Sequence, residues 1–167
     1  MNALQLGGAT SAAEVRLQSV PMGEICIAAA PAVLRTVLGS CVGLALYDPH
    51  VRVGGLAHIV LPESRGENAS AGKFADTAVP ALIEELIKRG AKKSSLSARL
   101  AGGARMFKVV SMKNIGEMNA VAVRRLLAER FIPIVQEDLG GEKGRRMTLN
   151  VQTGEVSVEF PGDAATR

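Results

Sequence analysis

Aromatic residues are scarce in this 167-residue sequence, where they make up 3% of the chain and tryptophan is absent. Proteins that bind single-stranded nucleic acid stack the bases on aromatic side chains, and this sequence offers almost none. A basic isoelectric point is the one feature that favours a nucleic-acid binder, and no recognised nucleic-acid-binding motif accompanies it. We therefore expect no nucleic-acid partner.

Long hydrophobic runs are also missing. The best candidate, residues 25–34, is interrupted by Pro31 and is too short to cross a membrane as a helix. Residues 1–13 contain no lysine or arginine ahead of an apolar stretch, so they do not resemble a signal peptide. These features predict a cytoplasmic protein without membrane insertion, in which residues 1–13 are a disordered lead-in and residues 14–167 form one domain.

Cysteine and histidine each occur only twice. Cys26 lies between two isoleucines, which is typical of a small buried hydrophobic residue. Neither cysteine belongs to a Cys-x-x-Cys motif, and the two histidines are not closely spaced, so the sequence predicts no metal site. In a reducing compartment we expect the two cysteines to be free thiols rather than a disulfide.

Acidic residues are absent from residues 88–113, although the whole chain has 16 acidic and 20 basic residues and a net charge of +4. Eight basic residues fall in that stretch: Lys88, Arg89, Lys92, Lys93, Arg99, Arg105, Lys108 and Lys113. Such a run indicates docking to an acidic partner. A solvated basic surface without a partner is the alternative interpretation.

The remaining pattern predicts a mixed α/β fold with enough hydrophobic residues, 47% of the chain, for a core. Apolar runs predict strands at residues 24–28, 34–38, 41–47, 53–61, 95–100, 106–110 and 132–137, and a C-terminal hairpin over residues 147–160. Helical spacing predicts one helix from an N-cap at Asp76 to Gly90, and another over residues 116–130. We expect a single layered α/β domain, with mixed β-sheets and the two main helices packed on one side.

One pair of apolar strands carries the candidate chemistry. Cys41 opens the first strand, and His58 lies near the end of the second. A hairpin that turns at residues 48–50 brings both to the same end, where the imidazole can activate the thiol as a nucleophile. The backbone of Gly39 and Ser40 is the expected source of N–H groups for an oxyanion. A pair of packed core residues is the alternative interpretation.

Seven sequence blocks resemble those of one protein family and follow the same order along the chain. They are Thr36-Val37-Leu38-Gly39-Ser40-Cys41-Val42-Gly43, Tyr47-Asp48-Pro49, Gly54-Gly55-Leu56-Ala57-His58-Ile59-Val60-Leu61-Pro62, Phe74-Ala75-Asp76, Gly102-Gly103-Ala104, Ile115-Gly116-Glu117-Met118-Asn119 and Asp138-Leu139-Gly140-Gly141-Glu142-Lys143-Gly144-Arg145. The family that they resemble is the CheD family of chemotaxis proteins, the chemoreceptor glutamine deamidases.

The resemblance implies a hydrolase that converts selected glutamine side chains of methyl-accepting chemotaxis receptors to glutamate. It implies a fold similar to that of deamidating bacterial toxins. The family's cysteine nucleophile matches Cys41, and its histidine base matches His58. The mechanism that follows is nucleophilic acyl transfer through a thioester, and it implies no metal or organic cofactor.

The sequence departs from the family pattern at two positions. The family has a catalytic threonine six residues before the cysteine; Arg35 stands there in this sequence, and Thr36, five residues before, is the predicted counterpart. A shift of one residue turns a strand side chain to the other face, so Thr36 needs a bulge or a shorter turn to reach the site. Met118 stands where the family often has arginine.

Two other functions use the same features. CheD-like proteins also bind CheC, a phosphatase of the response regulator, so the chain can be interpreted as a regulatory adaptor that binds receptors and a CheC-type phosphatase without chemistry. A transglutaminase would use the same cysteine and histidine, with an amine in place of water. The product separates the two enzymes, and substitution of Cys41 separates enzyme from adaptor.

Overall fold

The computed structural model of the protein describes residues 14–107 and 113–162. Within these ranges the elements are β1 (Arg16–Ser19), β2 (Ile25–Ala29), β3 (Ala32–Leu38), β4 (Val42–Asp48), β5 (Val53–Ile59), α1 (Ala75–Lys88), a 3-10 helix (Lys93–Ser95), β6 (Ser97–Gly102), α2 (Ile115–Glu129), β7 (Ile134–Leu139), β8 (Arg145–Asn150) and β9 (Val156–Glu159). The predicted lead-in of residues 1–13 lies outside the described residues.

The central layer is a five-stranded sheet with the strand order β2-β5-β4-β6-β7. Strands β4 and β5 form the predicted antiparallel hairpin, in which Gly43 is opposite His58. Every residue of these two strands is buried. Both faces of the sheet are covered, which explains why the two strands have almost uninterrupted apolar sequences. His58 is therefore carried on one of the most rigid elements of the domain.

A second sheet, with the order β1-β3-β8-β9, packs on one face of the first. In β3 every second residue is buried, and the polar Thr36 lies in this buried row between Leu34 and Leu38. The predicted C-terminal hairpin is confirmed, since β8 and β9 pair antiparallel. Strand β1 was not predicted because Arg16–Ser19 is exposed along its whole length and has no apolar alternation.

The two helices pack on the opposite face of the central sheet. Their apolar stripes form one core with that face; its helical members include Val79, Leu82, Leu86, Val123 and Leu127. The structure therefore confirms the predicted α/β class with mixed sheets and two helices on one side. None of the helices in residues 14–107 and 113–162 is long and apolar enough to cross a membrane.

Two local predictions differ from the structure. Asp76 does not cap α1: the helix begins at Ala75, and the Asp76 carboxylate accepts a hydrogen bond from the Ser64 N–H at 3.0 Å. An acidic side chain in the first turn has the same sequence signature as a cap, so the two roles are easily confused. Of the strand predicted at residues 106–110, the first two residues lie outside any strand, and the others lie outside the described residues.

Candidate active site

His58 is a buried histidine whose two ring nitrogens have different surroundings. Its Nδ1 lies 2.7 Å from the hydroxyl oxygen of Thr36. That hydroxyl donates its single proton to the Val20 carbonyl oxygen, 2.8 Å away, so the Thr36 oxygen accepts a hydrogen bond from a protonated Nδ1. In the neutral imidazole Nε2 is then unprotonated, and it has no hydrogen-bond partner among the described residues. A general base requires such a free lone pair.

Cys41 lies on the same face of the central sheet as His58. His58 is opposite Gly43, and Cys41 comes two residues before Gly43, so the alternation of the strand turns both side chains towards the second sheet. Their contacts agree, because His58 bonds to Thr36 of β3 and Cys41 packs in the core between the two sheets. Cys41 and His58 are thus diagonal neighbours on one sheet face. A thiol–imidazole hydrogen bond is not formed in the described structure, and such bonds commonly tighten when substrate binds.

The segment that links β3 to β4 crosses from the second sheet to the central sheet and ends at Cys41. Its carbonyl groups are all hydrogen-bonded: Gly39 by the Ala104 N–H at 2.9 Å, Ser40 by the Asn119 amide at 3.1 Å and Cys41 by the Gly103 N–H at 2.8 Å. In a trans peptide the N–H points away from the preceding C=O. Apart from the contact of the Cys41 N–H with its own thiol sulfur, the N–H groups of Ser40 and Cys41 donate to no residue in the part of the chain that the structure describes. They are available for an oxyanion.

Two glycines allow close packing against this segment. A Cβ on Gly102 would overlap the Cys41 carbonyl oxygen, and the φ of +99° at Gly102 is one that glycine favours. A Cβ on Gly116, in the first turn of α2, would overlap the carbonyl oxygens of Gly103 and Ala104. Strand β6 therefore meets the Cys41 segment in direct backbone contact, and α2 contacts the two residues after β6 whose N–H groups bond to that segment.

Burial sets the charge state of the thiol and the imidazole. Burial raises the pKa of the Cys41 thiol above its ordinary value, and the backbone N–H of Cys41 itself opposes part of this rise. Burial lowers the pKa of His58, and the Val20 carbonyl opposes part of this fall. Both directions favour the neutral form at pH 7. The free protein therefore holds a thiol beside a neutral imidazole rather than a thiolate–imidazolium pair.

Comparison with known proteins agrees with the sequence blocks. A family model described as CheD chemotactic sensory transduction matches residues 60–160, more than half of the chain. A protein of Symbiobacterium thermophilum, named probable chemoreceptor glutamine deamidase CheD, is 46% identical over 155 residues, which cover 88% of this chain and 94% of that protein. The chain belongs to the CheD family.

Other CheD relatives are similar over most of their length. The chemoreceptor glutamine deamidase CheD of Thermotoga maritima is 43% identical over 144 residues, which cover 86% of this chain and 91% of that protein. A probable chemoreceptor glutamine deamidase CheD of Methanococcus vannielii is 44% identical over 141 residues, covering 83% and 92% of the two chains.

The short link between the two sheets explains how Thr36 reaches His58 in this CheD chain. Strand β3 ends at Leu38 and β4 begins at Val42 in a different sheet, so Thr36 and Cys41 do not share one strand. Counting residues between them therefore does not predict whether their side chains face each other. Arg35, at the family's spacing, bonds instead to Thr148 on the second sheet.

We predict that Thr36→Val lowers the kcat for deamidation roughly two- to tenfold, because one hydrogen bond to the imidazole is worth about 0.5–1.5 kcal/mol. Valine keeps the β-branched shape and removes the hydroxyl that accepts from Nδ1. Steady-state kinetics measures the effect. Thr36→Ser is the matched control, since it retains the hydroxyl and should keep most of the turnover. Wild-type turnover in Thr36→Val would remove Thr36 from the site.

The basic residues of the predicted acidic-partner surface do not form one patch. The Lys92 N–H donates at 2.9 Å to the buried carboxylate of Asp48, the last residue of β4. Arg105 instead follows Ala104, which bonds to the Cys41 segment just before the first residue of β4. The two ends of a seven-residue strand are about 20 Å apart. Lys88, Arg89, Lys92 and Lys93 thus belong to the end of the domain away from Cys41, and Lys108 lies outside the described residues.

The other histidine lies apart from the site, whereas the other cysteine faces the second sheet near His58, because Cys26 is opposite Leu56, two residues before His58. His50 is exposed in the β4–β5 turn. Cys26 is half-buried rather than buried, because β2 is an edge strand, and it accepts a weak hydrogen bond from Gln18 at 3.5 Å. Within the described ranges no three metal-ligating side chains cluster.

Two buried polar residues near the site were missed in the sequence. Asn119 is a polar residue on the buried stripe of α2, and that position was a signal that could have identified it. Arg145 points its guanidinium into the loop after β7, where it pairs with the Asp138 carboxylate at 2.6 Å and donates to the carbonyls of Gly140 and Lys143. Gly140 in turn donates to Gly102, so Arg145 supports the loop that borders the site.

Proposed function

We propose that this CheD-family protein is a hydrolase that converts glutamine side chains of methyl-accepting chemotaxis receptors to glutamate, with Cys41 as nucleophile and His58 as base. The names of its relatives refer to chemoreceptor glutamine deamidation. One observation carries the proposed mechanism: the Nδ1 proton of His58 is held by Thr36, and the free Nε2 lies on the sheet face that also presents Cys41. Amide acyl transfer needs this combination of thiol and base.

The first step is the attack of sulfur on the amide carbon. His58 Nε2 removes the proton of the neutral Cys41 thiol as the S–C bond forms, because neither group is charged beforehand. The carbonyl π-electrons move to oxygen. Backbone N–H groups of the segment Gly39–Cys41 donate to this oxyanion, which exists only after attack. Binding of this kind lowers the barrier rather than strengthening substrate binding.

The second half of the cycle releases ammonia and then glutamate. The imidazolium returns its proton to the amide nitrogen, the C–N bond breaks, and ammonia leaves a thioester on Cys41. His58 then removes a proton from water, hydroxide adds to the thioester carbon, and the S–C bond breaks. The thiolate regains the proton from the imidazolium, so the enzyme returns unchanged. Each cycle consumes one water and releases one ammonia.

An open groove along α2, which neither Cys41 nor His58 lines, suits a protein helix as the substrate. It has a volume of about 850 Å³ and lies between α2 and the segment that follows β5. Its apolar lining includes Leu61, Ile115, Met118 and Val121, and Met118 and Val121 are exposed. Charged residues such as Glu63 and Arg125 border it. An amphipathic helix docks in such a groove with its apolar face inward.

The test of the proposed function is the incubation of the full chain with purified receptor cytoplasmic fragments. Mass spectrometry of receptor peptides should show glutamine converted to glutamate by the wild type. The same incubation with Cys41→Ala should show none, and Cys26→Ala should behave as the wild type. No conversion by the wild type would overturn the deamidase, and cross-linked or amine-substituted glutamine would identify a transglutaminase. Regulation of receptors that persists in Cys41→Ala would identify the adaptor.

We predict that the double variant Lys92→Glu/Lys93→Glu associates with receptor fragments roughly tenfold more slowly at low salt, because reversing exposed charges removes electrostatic steering towards an acidic surface. The salt dependence of the association rate should weaken as well. Stopped-flow association at several salt concentrations measures both. Arg16→Glu/Arg146→Glu makes the same change in net charge on the second sheet and is the control. Equal behaviour of the two double variants would leave residues 88–93 as a solvated surface.

A further inference from the structure

Asn119 connects the segment that carries the nucleophile to the residue that directly follows the strand carrying the base. Its side chain is fully buried in the second turn of α2. The amide nitrogen Nδ2 donates two hydrogen bonds, one to the Ser40 carbonyl oxygen at 3.1 Å and one to the Val60 carbonyl oxygen at 2.9 Å. Ser40 directly precedes Cys41, and Val60 comes two residues after His58.

The chemistry of these partners fixes the orientation of the amide. Both are carbonyl oxygens, which only accept hydrogen bonds, so the two protons of the NH₂ group must face them. Gly116, in the preceding turn of α2, contacts the backbone of Gly103 and Ala104, whose N–H groups donate to the Cys41 and Gly39 carbonyls. An aspartate or a leucine of similar size would fill the same space but would leave both carbonyl groups without a donor.

The Ser40 hydrogen bond also sets the direction of the Cys41 N–H, because the two groups belong to one planar trans peptide. Asn119 draws the Ser40 oxygen towards α2, so the Cys41 N–H points away from the helix. Rotation of this peptide would turn the Cys41 N–H away from that direction. The neighbouring carbonyls of Gly39 and Cys41 are held by the N–H groups of Ala104 and Gly103, just after β6, which leaves the Ser40–Cys41 peptide dependent on Asn119.

We propose that Asn119 is a positioning residue that aims the Cys41 backbone N–H at the oxyanion formed when the thiol attacks a carbonyl carbon. The proposal rests on the proposed acyl-transfer function. Asn119 acts through the peptide and touches neither the substrate nor the imidazole. Its loss should therefore slow only those reactions of Cys41 that pass through a tetrahedral oxyanion, since the donor is needed only after attack.

Two small reagents separate this role from a role in the fold or in thiol activation. Iodoacetamide alkylates the thiolate by displacement at a saturated carbon, which forms no oxyanion. p-Nitrophenyl acetate acylates the same thiol through a tetrahedral oxyanion: the S–C bond forms, the C–O bond breaks and p-nitrophenolate leaves. Peptide-resolved mass spectrometry follows alkylation at Cys41 apart from Cys26, and absorbance follows the p-nitrophenolate. The ratio of the two rate constants isolates the contribution of the oxyanion donors, whatever the natural substrate is.

The variants are Asn119→Asp, which keeps the shape of the side chain, and Asn119→Ala, which removes the amide. Loss of one oxyanion donor typically costs about 10²–10³ in rate, so misalignment of one should lower acylation roughly 10- to 100-fold. Alkylation should stay within about twofold of wild type over the whole pH range, as expected when the thiol–imidazole pair is intact. On receptor fragments kcat should fall by the same factor as acylation, with KM unchanged.

Asp48→Asn is the matched control, because Asp48 is also a buried polar residue that holds backbone groups, the N–H groups of His50 and Lys92, at the opposite end of β4. It should lower the melting temperature without changing the acylation-to-alkylation ratio. A parallel fall of alkylation and acylation in both Asn119 variants would overturn the proposal and make Asn119 a structural residue. An unchanged ratio would overturn it as well. Failure of the wild type to deamidate receptors would instead overturn the substrate assignment, since the ratio uses neither receptor nor amide.

Discussion

Replacing Cys41 with alanine is expected to abolish conversion of receptor glutamine to glutamate and to leave the protein folded. The substitution removes the sulfur atom that forms the thioester, and the proposed cycle cannot proceed without that intermediate. The structural cost is small, since loss of one buried sulfur atom from the core between the sheets costs about 1 kcal/mol of the free energy of unfolding. Mass spectrometry of receptor peptides and thermal unfolding measure the two effects separately.

The base should show a large effect of a different kind. His58→Ala is expected to lower the rate about 10²- to 10⁴-fold, the usual contribution of general acid–base catalysis. The variant also leaves a space in the site, so added imidazole should restore part of the rate if the lost group acts as a base. Full activity of Cys41→Ala or of His58→Ala would contradict the mechanism, as would loss of activity in Cys26→Ala with its fold unchanged.

The position of His58 relative to Cys41 was predictable because it depends on one hairpin. Two apolar segments joined by a short turn pair with each other, and the turn at residues 48–50 fixes which residues are opposite. The structure has this hairpin, with Gly43 opposite His58. Local sequence therefore determines the placement of the thiol and the imidazole on one face of the central sheet.

The orientation of the Thr36 side chain towards His58 was not predictable in the same way. Thr36 belongs to the second sheet, and its hydroxyl meets His58 across the interface between the sheets. Such a contact depends on how the two sheets stack, and strand alternation alone carries no information on it. A polar residue in the buried row of β3 is nevertheless a visible signal, since an unpaired hydroxyl in that row would be destabilising.

The long basic stretch shows the opposite error, in which residues close in sequence were treated as close in space. Residues 88–107 run from the end of α1 along β6 and past its end, and so pass from one end of the domain to the other. Arg99, within β6, is half-buried beside the Tyr47 ring and bonds to Ser97, and desolvation lowers the pKa of its guanidinium. Charge counted along a chain predicts a surface only after the topology is known.

The Cys41 segment should also be sensitive to a single methyl group added to β6. We predict that Gly102→Ala lowers the free energy of unfolding by about 2–5 kcal/mol, the sum of a left-handed alanine, about 1–2 kcal/mol, and overpacking, about 1–3 kcal/mol. The added Cβ would overlap the Cys41 carbonyl oxygen and lie 3.1 Å from the Leu38 Cβ. Folded protein should deamidate receptors about 10²-fold more slowly, because a displacement of about 1 Å at the reacting group has an effect of this size.

Gly90→Ala separates the two causes of that loss. Gly90 has a φ of +97°, nearly that of Gly102 at +99°, but no described atom lies within 4 Å of where its Cβ would be. This variant should therefore show only the backbone cost, about 1–2 kcal/mol, with wild-type turnover. Chemical denaturation and receptor deamidation measured on both variants make the comparison. Equal losses in the two would mean that the Cys41 carbonyl tolerates the methyl group, and that contact between β6 and the Cys41 segment does not control the reaction.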